Sequence, residues 1–231
     1  MSDRSYAGAQ AQVNTILRNV YLWMTLGLAF TGVVAFLAAG SGIVTALMQN
    51  PLLFFVLMIG QLGLVLYLSA RISRISPQAA IGAFLLYAGL NGILFSFIFL
   101  AYAGTTIAAT FFVTAGTFAG MSLYAMTTKE DLTKYGKYLI MGLWGLILAS
   151  IVNIFLGSSG LEWIISYAGV LIFVGLTAYD TQVIARMSAQ YSGNVGSADY
   201  ARLSIMGALK LYLDFINLFL FFLRIFGGGR N

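Results

Sequence analysis

Cysteine and histidine are both absent from the 231 residues. Without cysteine there is no disulfide framework and no thiolate chemistry. Without histidine the chain lacks the commonest general base, the commonest metal ligand and the usual sensor of pH near neutrality. Charge is scarce as well. Asp, Glu, Lys and Arg make up 8% of the residues, against roughly 25% in soluble domains. A chain so poor in charge cannot clothe itself in water, so its 60% hydrophobic residues must face lipid. The net charge of +5 would suit nucleic acid in a soluble protein. Here it reports loops on one side of a bilayer, and no nucleic-acid partner is expected.

What is present are long apolar runs. A helix needs about 20 such residues to cross a ~30 Å hydrocarbon core. Only helices and closed barrels satisfy their backbone groups there. The runs do not alternate, so helices are preferred over a barrel. The pattern predicts an all-α membrane protein with seven spans, at about 19–40, 51–70, 78–101, 105–126, 138–156, 162–184 and 204–226. The domain reading is a cytoplasmic N-terminal tail, 1–18, a seven-helix domain, 19–226, and a short C-terminal tail, 227–231. The tail reads as a surface segment or a short interfacial helix. The run from Asn19 to Gly40 is longer than the ~7–15 residue core of a signal peptide, so it reads as a retained span. Ser188 to Leu203 reads as the one long loop.

Lys and Arg set the orientation. Arg4, Arg18, Arg71, Arg74, Lys129, Lys134, Lys137, Arg186 and Arg202 all fall on one side of the seven spans. The connections 41–50, 102–104 and 157–161 on the other side hold none, and only Arg224 and Arg230 near the C-terminus fall there. The N-terminus is therefore expected in the cytoplasm and the C-terminus outside. Gly116 and Gly120 form a GxxxG, expected to mark close helix packing within the chain. Gln61, Asn91 and Asn153 read as hydrogen-bonding glue between helices. The loop from Lys129 to Lys137 reads as solvated.

Three ionisable residues sit inside the spans or at their edges without an obvious loop role: Asp180, Lys210 and Asp214. A charge at the bilayer centre costs about 2.5–3.5 kcal/mol on insertion scales, so each needs a partner, a water cavity or a function. Lys210, Asp214, Asn217 and Arg224 share one helical face, and Thr177, Asp180 and Thr181 share another. Given the topology, Asp180, Asp214 and the end of the second span can meet in the cytoplasmic half. Two carboxylates forced together cannot both stay ionised cheaply, so such a pair exchanges a proton with changing pH. Deprotonated, it offers hard oxygen ligands suited to Ca²⁺. The chemistry implied is a proton-sensitive cation site, with Arg71 or Lys210 as the competing counter-ion. The alternative is an ion pair of Lys210 with Asp214 that only pins the bundle. Thr177, Thr181 and Asn217 are candidates for lining a pore. Glu162 opens the sixth span on the outer side, where it either draws cations or serves its helix N-terminus.

The segment Gly207-Ala-Leu-Lys-Leu-Tyr-Leu-Asp-Phe-Ile-Asn-Leu-Phe-Leu, continued by Leu223-Arg-Ile-Phe-Gly227, resembles the C-terminal signature of the Bax inhibitor-1 family of transmembrane proteins. Phe173-Val-Gly-Leu-Thr-Ala-Tyr-Asp-Thr-Gln182 resembles its sixth-helix motif, and Ala125-Met-Thr-Thr-Lys-Glu-Asp-Leu132 its fourth-to-fifth loop. The likeness covers nearly everything after about residue 15 and suits a bacterial member of the inner membrane. It implies a seven-helix bundle with the C-terminal helix central. It implies a pH-sensitive calcium leak gated by a di-aspartyl sensor, Asp180 and Asp214, with Ca²⁺ as the bound or permeant ion and no other cofactor. In some members an arginine late in the second helix latches onto the sixth-helix aspartate, and here Arg71 or Arg74 would take that part. Family members are also linked to suppressing cell death and to modulating a membrane protease. That leaves a second reading, a regulatory protein that binds such a partner while any leak is secondary. No enzyme activity is expected. An intramembrane aspartyl protease would need Gly-x-Gly-Asp where the chain has Leu211-Tyr-Leu-Asp214, and a Pro-Ala-Leu motif later, yet the only prolines are Pro51 and Pro77. A retinal protein would place its aspartate a turn before the lysine, whereas Lys210 precedes Asp214.

Overall fold

The computed structural model describes residues 3–72, 74–190 and 197–228, with side chains from residue 13 onward except that of 197. Eight α-helices succeed one another among them: α1 Asp3–Ala39, α2 Ile43–Gln49, α3 Pro51–Arg71, α4 Pro77–Ala101, α5 Gly104–Thr127, α6 Gly136–Leu156, α7 Ser159–Gln190 and α8 Ser197–Gly227. A 3₁₀ turn, Leu132–Tyr135, leads into α6. Seven of these segments, all but α2, are long and apolar enough to cross a membrane. Large apolar side chains such as Leu52 (73% exposed), Phe112 (72%) and Phe155 (84%) stand on the outside, which only lipid solvates without penalty.

The local signals explain the boundaries. Pro51 and Pro77 each stand at a first helical position, where the missing N–H is not needed. Ahead of them, the side chains of Asn50 and Ser76 accept from Leu53 N and Ala79 N, both at 3.2 Å. Helix α6 ends on Gly157 with φ +58, the left-handed cap that glycine adopts without strain. Helix α1 begins far ahead of the first apolar run, because the stretch 3–18 contains no proline to break it. The long loop predicted at Ser188 to Leu203 is largely helical where described: α7 runs on to Gln190 and α8 starts at Ser197 with Asp199 in its first turn. Residues 191–196 of that loop, and 229–231 of the C-terminal tail, lie outside the described residues.

The chain divides into two compact units, Met1–Ala103 with Met187–Tyr212, and Gly104–Arg186 with Leu213–Asn231. In the first, α1 and α4 cross at Gly92, where an added Cβ would lie 2.7 Å from Val34 Cβ and 2.8 Å from the Thr31 carbonyl. Near that crossing the Thr31 hydroxyl shares a 2.7 Å hydrogen bond with the Tyr212 hydroxyl and donates to Ala88 O at 2.9 Å. The rings of Phe84 and Tyr87 stand edge-on to Tyr212, which is fully buried. Gln61 Nε2 donates to Asn91 Oδ1 at 2.6 Å, so these two do join α3 to α4 as expected. Asn153 does not act between helices: its side chain accepts from Ser158 N at 3.1 Å and closes the α6–α7 connection.

In the second unit the close approaches fall at Gly136, Gly169 and Gly175. The expected GxxxG contact is absent there. A Cβ at Gly116 or Gly120 would meet nothing within 4 Å, because both lie on the exposed face of α5 while Thr110, Thr114, Phe118 and Ser122 make its buried face. The last helix differs from the rest. In its apolar window 67% is buried, against 6% for α3 and for α6 with its 3₁₀ turn. The apolar flank of α8 is thus as enclosed as its polar stripe.

Gly92→Ala should destabilise the protein by about 1–3 kcal/mol, since backbone and a β-branched neighbour must move. Gly116→Ala should stay within about 0.5 kcal/mol. Unfolding in mixed micelles measures both, and equal losses would contradict the packing described.

Candidate functional site

Helices α7 and α8 meet through glycine. A Cβ on Gly169 would lie 2.7 Å from carbons of the Phe221 ring, so only hydrogen leaves room for that ring. One turn on, the rings of Phe173 and Phe221 lie 5.8 Å apart at 30°. Trp163 approaches Gly228 at the other end of the contact. Numbers rise along α7 as they fall along α8, so the helices run antiparallel. Leu146, Ile165, Leu176 and Leu218 fill in around them.

That register bears on the acidic residues. Asp180 follows Phe173 by seven residues, and Asp214 precedes Phe221 by seven. Seven residues are close to two turns, a rise of about 10 Å, and return to nearly the same face. Carried on by helical geometry, the register puts Asp180 and Asp214 at one level on facing sides. Both are buried, at 8% and 4% exposure. Their neighbours on α7, Thr177 and Thr181, are buried too, and Thr181 Oγ1 donates to Ser122 Oγ of α5 at 3.4 Å. Among the described residues no three of Asp, Glu, His and Cys gather. A Ca²⁺ ion at the two aspartates would therefore draw its remaining oxygens from hydroxyls, carbonyls and water, all of which it accepts.

The other predicted site residues lie elsewhere. Asn217 is half-buried and its amide donates to Leu213 O of its own helix at 2.8 Å. Glu162 is exposed in the first turn of α7. Lys210 is half-buried in the first unit. Arg71 and Arg74 belong to the first unit as well, exposed at the end of α3 and just beyond it. In that unit Arg202 donates from Nε to Ile75 O and pairs through Nη1 with Asp199, both at 2.7 Å, so it ties the α3–α4 connection to the start of α8.

A second feature carries no signal in composition. The α5–α6 loop, expected to be merely solvated, is strapped to α7. The Gln182 amide accepts from Leu132 N at 2.7 Å and donates to Glu130 O at 2.9 Å. Leu132 is buried with Ala125 and Ala178 beneath this clamp. Arg186 pairs with Asp131 at 2.7 Å and donates to Thr133 Oγ1 at 2.9 Å. Tyr179 packs on Gly136 so closely that any Cβ there would overlap its ring. The strap thus grips α7 on both sides of Asp180. Gln182 was legible only as the last residue of a motif, and Arg186 only as a charge that sets orientation. One is a polar residue at a span's edge and the other a loop cation, and neither says what it touches.

The strap's carboxylates sit below the usual carboxylate range. Glu130 is held down by the Lys134 ammonium and the Tyr135 hydroxyl, Asp131 by Thr133 and the Arg186 guanidinium. A carboxyl lowered on folding adds stability above its unfolded value, about 4, and loses it only as pH falls through the lower folded value. The strap's ion pairs therefore hold across neutral and mildly acid pH. Gln182→Leu should leave Leu132 N–H without its acceptor. Losing a buried hydrogen bond is worth about 1 kcal/mol, so exchange of that amide should quicken by roughly fivefold to tenfold. Gln182→Glu should lose the donated bond to Glu130. Hydrogen exchange in lipid nanodiscs reads this, and unchanged protection in Gln182→Leu would refute the clamp.

Comparison with known proteins agrees with the motifs. A family model described as inhibitor of apoptosis-promoting Bax1 matches residues 13–231. The chain is 48% identical over 222 residues to inner membrane protein YbhL of Escherichia coli K12, covering 96% of this chain and 94% of that one. It is 45% identical over 219 residues to an uncharacterised protein of Borreliella burgdorferi, covering 94% of each. An uncharacterised membrane protein of Streptococcus pyogenes is 36% identical over 229 residues, covering 98% of this chain and 97% of its own. With the seven spans and the acidic motifs of α7 and α8 already in place, the chain is a membrane protein of the Bax inhibitor-1 family.

Proposed function

We propose that the protein is a pH-sensitive leak for cations, calcium above all, whose sensor is Asp180 with Asp214. One observation carries the reading: two aspartates are buried on antiparallel helices in a register that levels them. A function is the default explanation for carboxylates so placed. Sharing a proton, the pair is a poor cation ligand; once it is lost, two anionic oxygens are exposed to Ca²⁺. Protons and calcium then compete for one site. No bond is made or broken, so the role is transport and not catalysis. The family description favours a second reading, a regulator that binds a cell-death partner with the leak secondary; the motifs' resemblance adds a membrane protease as the other candidate partner.

Placement rests on the charged loops and on the relative named for the inner membrane. We infer a bacterial inner-membrane protein with its N-terminus in the cytoplasm and its C-terminus outside. A reporter fused after Asn231 should read as external, and one inserted in the Lys129–Lys137 loop as cytoplasmic. Matching locations for the two would break the seven-span topology.

The sensor has its own test in liposomes holding purified protein and a calcium dye. Asp180→Asn and Asp214→Asn each keep the side chain's shape and remove the shared proton. Each should flatten the pH dependence of calcium flux, and the double variant should add little, because coupled groups titrate as a unit. Wild-type pH dependence in the double variant would exclude the pair. No flux from the wild-type protein at any pH would favour the partner-binding reading.

A further inference from the structure

The approach to α6 carries more positive charge than its acids neutralise. Lys134, in the 3₁₀ turn, pairs with Glu130 at 2.9 Å, and Arg186 pairs with Asp131. Among the described residues neither Lys129 nor Lys137 has an ion pair. Lys134 and Lys137 stand three residues apart. Side chains at that spacing are neighbours on a helical turn, and like charges there repel. Glu130 offsets one of the two and leaves the other. Each ammonium lies over an exposed ring: Lys134 Nζ is 4.8 Å from the centre of Tyr135, and Lys137 Nζ is 4.9 Å from that of Tyr138. Tyrosine so placed suits the headgroup level of a bilayer. The Gln182 clamp and the contact of Tyr179 with Gly136 hold this charged end in a fixed position.

Past that charge, α6 turns the same face to lipid. Lys137, Tyr138, Met141, Trp144, Gly145 and Leu148 are all exposed. By helical geometry they fall within about a third of the circumference. The other face is the packed one: Leu139 meets Gly175, Gly142 meets Ile172, and Leu146 is buried. A Cβ at Gly145 would meet nothing within 4 Å. The exposed face therefore dips there, between the side chains of Met141 and Leu148. One face thus joins a pair of cations to an apolar track of about 16 Å. An anionic head on hydrocarbon chains has the complementary form.

We propose that this face of α6 binds one anionic phospholipid, its phosphate between the ammonium groups of Lys134 and Lys137 and its chains along Met141, Gly145 and Leu148. The lipid belongs to the leaflet that meets the α5–α6 loop, the cytoplasmic one in the topology proposed above. Basic residues beside a membrane helix attract anionic headgroups. The phosphate supplies the second negative charge that the two lysines lack. An acidic soluble partner would meet the lysines but leave the apolar track unused, so charge and track on one face favour the lipid. The site involves neither Asp180 nor Asp214, and it stands whether the leak reading holds or fails.

Trp144 reports on the site without a label, since its ring is exposed about 10 Å along α6 from Lys137. The full chain is placed in phosphatidylcholine vesicles that carry a minor share of lipid brominated at mid-chain. That lipid is phosphatidylglycerol in one set and phosphatidylcholine in the other. The difference in fluorescence between the chain and Trp144→Phe isolates the ring. Brominated phosphatidylglycerol should quench it severalfold more effectively than brominated phosphatidylcholine. Lys137→Gln should lower that preference roughly fivefold, and Lys137→Arg should retain it. Arg74→Gln, which removes one cation from the α3–α4 connection, should leave it unchanged. Equal quenching by the two brominated lipids overturns the proposal. An equal fall for Lys137→Gln and Arg74→Gln reports surface charge at large and overturns the site. Soluble glycerol phosphate has the head without the tails. At matched ionic strength it should reduce the preference no more than sodium chloride does. A larger reduction assigns the lysines to free phosphate, and the lipid assignment falls.

Discussion

The missing side-chain carbon at Gly169 governs how α7 and α8 meet, and the level of the two buried aspartates depends on that meeting. With a hydrogen in that place, the Phe221 ring can lie against the backbone of α7. A larger residue would push α8 away or slide it along. Sliding is the graver consequence, because helix contacts come in discrete steps set by ridges and grooves. The Phe173–Phe221 contact two turns from the aspartates holds the same register. The shared level of Asp180 and Asp214 thus follows from apolar packing.

The acidic and basic groups divide into two populations by solvent. Those of the α5–α6 loop are exposed, paired and held ionised. Exposed pairs of this kind contribute little energy each. What fixes the loop is neutral: the two-sided amide of Gln182 and the burial of Leu132. A primary amide can accept from one backbone group and donate to another at once, which no carboxylate can do. The clamp is therefore neutral, and it sits two positions along α7 from the buried Asp180.

The spans were legible because lipid imposes a coarse rule, about 20 apolar residues per crossing, that every spanning helix here obeys. Their ends were legible where a proline or a cap marks them, at Pro51, Pro77 and Gly157. They were misjudged at Ser188 to Leu203, where Ser and Gly suggested a loop but neighbouring helical turns carry the chain on. The GxxxG at Gly116 and Gly120 misled for a plain reason. Small residues permit close approach but do not supply the partner, and α5 turns its other face inward. Conversely Gly136 and Gly169, isolated in sequence, are the tight contacts, because a large ring from elsewhere fills the space. Asn153 failed as interhelical glue since it lies within reach of its own loop. Asp180 and Asp214 stood out because a charge in a span is expensive. Gln182 did not, since its role is a relation to backbone 50 residues away.

Burial singles out two aspartates among the acids. Seven carboxylic side chains are available and no histidine. Glu130 and Asp131 are exposed and held ionised well into acid. Glu162 stands exposed in the first turn of α7. Asp199 is about half exposed and paired with Arg202. Of the acids whose side chains are described, only Asp180 and Asp214 are buried. Only in a water-poor site can packing set where a carboxylate gives up its proton. A protein without histidine that is to respond to pH near neutrality must therefore bury acids, and this chain buries two, one on α7 and one on α8.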